Sequence, residues 1–225
     1  MISKRLTINV VIGLCYIIFL LLLNAALEPD TAAHVFSESG PFEVLSFILW
    51  YLLAVTLVLV VRPLNRFVVF MAFLSFIAGC RELDMHNRFT QESISRISFY
   101  LNPDIFWLER LSATALVLAL AGIATYCLYH FGKWLYDHPD ILHPLGQITL
   151  LGIVMVPVTK ILDRLPAYLS GFFGIAVSSE AADVMNALEE GLEMLLPILF
   201  LQALLMLPRN KPQPHRLGSR LYRVA

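Results

Sequence analysis

The chain has 225 residues, of which 58% are hydrophobic and 15% charged. An ordinary soluble domain is nearer half apolar and a quarter charged, so this composition speaks against one. The formal net charge of −1 supplies no basic field for nucleic acid. Cys15, Cys80 and Cys127 fall in three different apolar runs without a CxxC pair, and read as small apolar residues within helices.

The apolar residues collect in runs long enough to cross a hydrocarbon core of about 30 Å, which takes roughly 20 helical residues. Six such spans are expected: Leu6–Leu27, Phe42–Val61, Phe67–Met85, Leu111–Tyr129, Leu145–Leu162 and Val184–Leu207. The fold class is therefore all-α, a polytopic transmembrane bundle in one domain over residues 1–207, with a basic tail over 208–225. The runs are continuous, unlike the alternating segments of a membrane β-barrel. Lys4 and Arg5 precede the first run as in a signal peptide. The run is longer than a usual signal core and no clean A-x-A site follows, so a retained anchor is expected.

Orientation follows from Lys and Arg. With the N-terminus inside, the cytoplasmic segments hold Lys4, Arg5, Arg62, Arg66, Lys133, Arg209, Lys211, Arg216, Arg220 and Arg223, ten of the sixteen basic residues. Both termini are then cytoplasmic. Of the acids, all but Asp137 and Asp140 fall outside or at outer span ends. Between spans three and four, Ile94, Ile97 and Leu101 recur at helical spacing, as in a short amphipathic helix lying in the interface. Pro103 then precedes Phe106 and Trp107, an expected aromatic belt. Between spans five and six, Ala167–Val177 is apolar, Gly-interrupted and too short to span, and reads as a re-entrant or interfacial segment.

Four spans carry ionisable residues near their outer ends. Span two opens with Glu43; span three closes with Arg81, Glu82, Asp84 and His86; span five closes with Lys160, Asp163 and Arg164; span six opens with Glu189, Glu190 and Glu193. Helix geometry puts Glu82 with His86, Lys160 with Asp163, and Glu193 with both Glu189 and Glu190, each pair on one face. At about 1.5 Å per residue, Glu193 is expected about 9 Å below the outer boundary, and Lys160 and Glu82 about 5–6 Å below it. Charge at such depth faces the bundle interior and pairs. Lys160 is expected to meet Glu193 or Glu82, with Arg81, Arg110 and Arg164 neutralising others. The bland alternative is solvated helix ends, since Glu43, Glu189 and Glu190 suit helix N-termini electrostatically.

Seven acids against four cations leave some acid unpaired, protonated or bound to a cation. A carboxylate-rich site with one imidazole suits Mg²⁺, Ca²⁺ or Mn²⁺ better than structural zinc, with Glu82, His86, Glu190 and Glu193 as candidate ligands; Zn²⁺ stays within the tested set. No HExxH, di-iron ExxH or GxSxG motif occurs. The histidines do not lie at matched depths on facing spans, as a haem would need. Three classes remain open: an interface enzyme on a lipid or lipid-linked substrate, a proton- or cation-coupled transporter, and a non-catalytic protein whose polar network fixes helix packing. Partners are the lipid bilayer and a small-molecule or lipid ligand; oligomeric state is not legible.

The set GPFE, RELDMH, KILDRL and EEGLE, in that order on six spans, resembles a group of uncharacterised bacterial multi-pass inner-membrane proteins with acidic motifs at the outer ends of spans. The resemblance covers roughly residues 40–200. It implies a bacterial inner membrane and brings no activity or catalytic residue.

Overall fold

The computed structural model describes residues 4–37, 39–83, 97–137 and 144–207. Regular structure among them is helical: α1 (Lys4–Ala26), α2 (Pro29–Val35), α3 (Pro41–Val60), α4 (Arg66–Glu82), α5 (Ile97–Leu101), α6 (Trp107–Asp137), α7 (Pro144–Phe173) and α8 (Ser179–Leu205). Helix starts follow local chemistry. Pro41 occupies the first turn of α3, where its missing N–H costs nothing. The Asn65 side chain accepts from the Val68 N–H at 3.0 Å to cap α4, and the Ser178 hydroxyl accepts from the Ala181 N–H at 3.3 Å to cap α8.

Four helices are long and apolar enough to cross a membrane: α1, α3, α6 and α7. The other two expected spans are helices that fall short for different reasons. With 17 residues, α4 reaches about 26 Å, under the roughly 30 Å of a hydrocarbon core. With 27 residues, α8 is long enough, but every 18-residue stretch of it contains Glu189, Glu190 and Glu193. Ends differ from expectation as well. The 31 residues of α6 reach about 46 Å, so Trp107 and Trp134 can stand at opposite interfaces. The expected break after Leu162 is absent. Pro166 removes one backbone bond without ending α7, so residues 167–173 continue the helix instead of forming a re-entrant segment. The turn comes at Gly174, whose φ of +63° suits a residue without Cβ. Of the expected amphipathic helix, Ile97–Leu101 is helical; the portion from Gln91 to Arg96 lies outside the described residues.

Packing centres on α8. It lies against α7, α3 and α1, while α4 packs on α3 and α6 packs on α4. Thus α4 and α7 flank the α3–α8 pair, α4 on the α3 side and α7 on the α8 side. Lipid tails are as apolar as Leu, so close approach rather than water exclusion drives such contacts. Glycines provide it. A Cβ on Gly191 would collide with Leu20 of α1, one on Gly152 would stand 2.9 Å from Phe200 of α8, and one on Gly79 would stand 2.8 Å from Tyr51 of α3. Polar ties reinforce the α1–α8 seam: the Tyr16 hydroxyl donates to the Gly191 carbonyl at 2.8 Å, and the Gln202 amide donates to Asn9 at 3.1 Å. Trp50 and Leu53 of α3 join Leu196 and Leu204 of α8 in the largest apolar cluster.

Phe36, just after α2, is buried with Leu20 and Ala187, and its carbonyl accepts from the Asn186 amide. This plug fixes the chain leading into α3 and hence Glu43. Because Leu20 is fully buried, a side chain at Gly191 has nowhere to go. Gly191→Val is expected to cost about 1–3 kcal/mol by overpacking, while Gly122→Val, at an open position on α6, stays near neutral. Thermal unfolding of both variants in detergent checks this.

Candidate functional site

The antiparallel register of α7 and α8 builds the centre of the site. Where Gly152 meets Phe200, about two turns further along α7 brings Lys160 level with Glu193. Lys160 Nζ lies 2.6 Å from Glu193 Oε1. From the other flank, Arg81 Nη2 donates to Glu193 Oε2 at 2.8 Å. One carboxylate, only 6% exposed, is thus gripped by a cation on each oxygen, one from α4 and one from α7. Both cations reach further. Arg81 Nη2 lies 3.8 Å from Glu82 Oε1, and Lys160 Nζ lies 3.8 Å from Asp163 Oδ2, which Arg164 Nε approaches at 3.6 Å.

Around this core stand the remaining acids. Glu82 closes α4, is buried, and lies against the Ser46 hydroxyl of α3. Glu43 sits in the first turn of α3 and is buried too. Glu190 feels the charges of Glu193, Glu189, Glu43 and Glu82, and Glu189 those of Asp163, Glu193, Lys160 and Arg81. The structure therefore brings Glu43, Glu82, Lys160, Asp163, Glu189, Glu190 and Glu193 into one polar cluster. Asp84 and His86 lie outside the described residues. Arg110, expected to neutralise an acid, instead donates to the Tyr100 carbonyl at 3.4 Å, because α5 folds back over the start of α6.

Three contributors were not anticipated. Ser46 carries no charge and sits one turn after Glu43 on α3, and only helix packing shows that it meets Glu82. Pro197 lies four residues beyond Glu193, and its missing N–H is the one that would bond the Glu193 carbonyl. Pro157 lies three residues before Lys160 and likewise interrupts the backbone bonding of α7. The sequence displays both prolines at these offsets, a signal available from spacing alone.

The cluster occupies one end of the bundle. There α3 begins at Pro41 and α4 ends at Glu82, while α7 and α8 run on past Lys160 and Glu193 for about 20 Å more. Its most exposed side chains are Arg81, Lys160 and Arg164, 48%, 39% and 54% accessible, with Asp163 between the latter two at 35%. Among the described residues, no three His, Cys, Asp or Glu side chains are grouped to hold a metal ion. Of the candidate ligands Glu82, His86, Glu190 and Glu193, Glu193 is turned to Arg81 and Lys160. Comparison with protein-family models, with curated proteins and with solved structures finds no match for this chain.

An exposed ion pair contributes under about 1 kcal/mol, and stripping a partner from a buried one costs about 3–5 kcal/mol. With a buried carboxylate and half-exposed cations, Glu193→Gln is expected to cost about 2 kcal/mol. A double-mutant cycle of Glu193→Gln with Lys160→Met should give a coupling of about 1–2 kcal/mol. Additive effects would mean that the 2.6 Å contact contributes nothing.

Proposed function

We propose that the protein is a six-span membrane protein of the bacterial inner membrane, with both termini cytoplasmic, that binds a polar or lipid-linked ligand at the outer ends of α3, α4, α7 and α8. The observation carrying this is the Glu193 carboxylate, buried yet held from two sides by Arg81 and Lys160, whose other surfaces stay open. A network built for packing alone has no need of half-exposed cations or of further carboxylates beside them. With Glu193 matched, spare negative capacity rests with Glu189 and Glu190, and a cationic group of the ligand would meet that pair.

The six-span reading treats α4 and α8 as spans beside the four long apolar helices. It is supported by their packing on α3 and α7. A short α4 is accommodated by local bilayer thinning. The glutamates of α8 face the cluster rather than lipid, as intramembrane acids do. Reporter fusions test the orientation. One after Ala225 should read as cytoplasmic and one near Ser37 as external; an external C-terminus would undo both the span number and the outer placement of the site.

A proton- or cation-coupled carrier is the second reading, and one observation favours it. Pro157 and Pro197 interrupt the two helices that supply Lys160 and Glu193, as interrupted helices do around carrier sites. Ligand binding is tested by thermal stability, because a ligand of the folded state raises it by mass action. Mg²⁺, Ca²⁺, Mn²⁺, Zn²⁺ and polar headgroup compounds are added in turn to wild type and to Glu193→Gln. At least one should stabilise the wild type and act less on the variant. If none does, and proteoliposomes show a Glu193-dependent proton or cation flux, the carrier reading replaces this one.

A further inference from the structure

We infer that this site, read as the polar-ligand site above, takes the headgroup of a zwitterionic aminophospholipid: the phosphate on Lys160, Arg164 and Arg81, the primary ammonium on Glu189 and Glu190. Three observations carry it.

The first is the sign of what is open. Lys160 and Arg164 are four residues apart on α7 and share a face, and Arg81 faces them across Glu193. All three side chains are at least a third accessible, although each already touches a carboxylate, Lys160 through the one Nζ it has. A guanidinium and an ammonium so placed have donors left for phosphate oxygens.

The second is a pair of glutamates outside the ion pairs seen among the described residues. Glu189 and Glu190 are only partly buried, and no described Arg or Lys stands within ion-pair distance of either. Glu189 lies one turn from Glu193 on the same face of α8, among Asp163, Lys160 and Arg81. A purely anionic headgroup would be drawn to the cations but repelled by these two carboxylates. A bare metal ion would meet the reverse conflict. A ligand carrying a phosphate and a primary ammonium a few bonds apart answers both signs together.

The third is the apolar surface beside the cations. Arg81 comes from α4, packed on α3, and Lys160 from α7, packed on α8. Beneath the cations the two helix faces are apolar: Ile77 and Leu74 lie one and two turns below Arg81, and Val156 and Ile153 one and two turns below Lys160. Acyl chains suit such faces and a soluble zwitterion has no use for them.

The test uses the full chain, purified in detergent and stripped of lipid. Phosphatidylethanolamine, phosphatidylglycerol, phosphatidylcholine and water-soluble glycerophosphoethanolamine are added separately, and the thermal midpoint is followed against concentration. Phosphatidylethanolamine should raise the midpoint by about 4 °C or more. Phosphatidylglycerol lacks the ammonium, and the quaternary ammonium of phosphatidylcholine donates no hydrogen bond, so each should do less than half as much. Glu189→Gln with Glu190→Gln, and separately Arg164→Gln, should each weaken the phosphatidylethanolamine response about tenfold in concentration. Their midpoints without lipid, kept near that of wild type, show that they fold. Equal responses to the three lipids overturn the inference, as does an unchanged response in both rim variants. An equal response to glycerophosphoethanolamine moves the ligand from lipid to a soluble zwitterion and overturns it too. If the lipids do nothing while a Glu193-dependent shift with an ion or headgroup compound persists, this inference fails and the polar-ligand reading stands; if neither is seen, both fail.

Discussion

Glu193 is a buried carboxylate on a helix that is apolar below it but for Gln202, and much of the bundle is arranged around matching its charge. An unmatched charge in the hydrocarbon region costs at least a few kcal/mol. Neither neighbour of α8 in the core supplies a cation at that level: α3 contributes Ser46 and Glu43, and α1 contributes Tyr16 and Leu20. The cations come from the flanks, Arg81 on α4 and Lys160 on α7. Both flanking helices must therefore stop sliding along α3 and α8 at one register. The carboxylate acts as a pin for three helices, α4, α7 and α8, and the glycine notches at Gly79, Gly152 and Gly191 bring these close to their neighbours.

Pinning and close packing are distinct in kind. The notches are non-directional and tolerate small shifts; the Arg81 hydrogen bond on Glu193 is directional and charge-assisted, and tolerates few. Pro197 adds a local softness beside the pin, because the Glu193 carbonyl lacks its usual backbone donor. Pro157 does the same below Lys160. A charge pair set between two weakened helix segments can change its partners at lower cost than one set in an unbroken helix. Ligand binding and transport would both draw on that property.

Much of this was legible in the sequence. Apolar runs located six helices, because a run of about 20 apolar residues has few other uses. Depth counting brought Lys160 and Glu193 to similar levels, since rise per residue is fixed. What the runs could not give was where helices end. Apolarity marks the part of α6 and α7 that sits in lipid, whereas hydrogen bonding carries both helices on into polar sequence, through Pro166 in α7. Nor could spacing choose among arginines. Arg81 and Arg110 both stand near span ends, but only the packing of α4 on α3 turns Arg81 toward Glu193, and only the fold-back of α5 gives Arg110 a backbone carbonyl. Ser46 was invisible for a similar reason: a serine in an apolar helix has no signature until its neighbour across the interface is known.

The balance of charges bears on whether this cluster exists for structure alone. Replacing a buried ion pair by well-packed apolar residues is often neutral or stabilising, so stability by itself is a weak reason for Glu193, Arg81 and Lys160. Register could be held with one matched pair, and a polar network only partly satisfied is worse than an apolar core. Here the network goes well beyond one pair. Glu82 and Glu43 are buried beside it, Glu189 and Glu190 lie at its edge without ion-pair partners among the described residues, and three cations remain partly open. Each of these departures raises the cost of the folded bundle, and none tightens helix packing in return. They share one end of the bundle, where α3 begins and α4 stops. Stability alone is therefore a weak account of a cluster so rich in charge, and the proposed ligand site gives these groups a reason that helix packing does not.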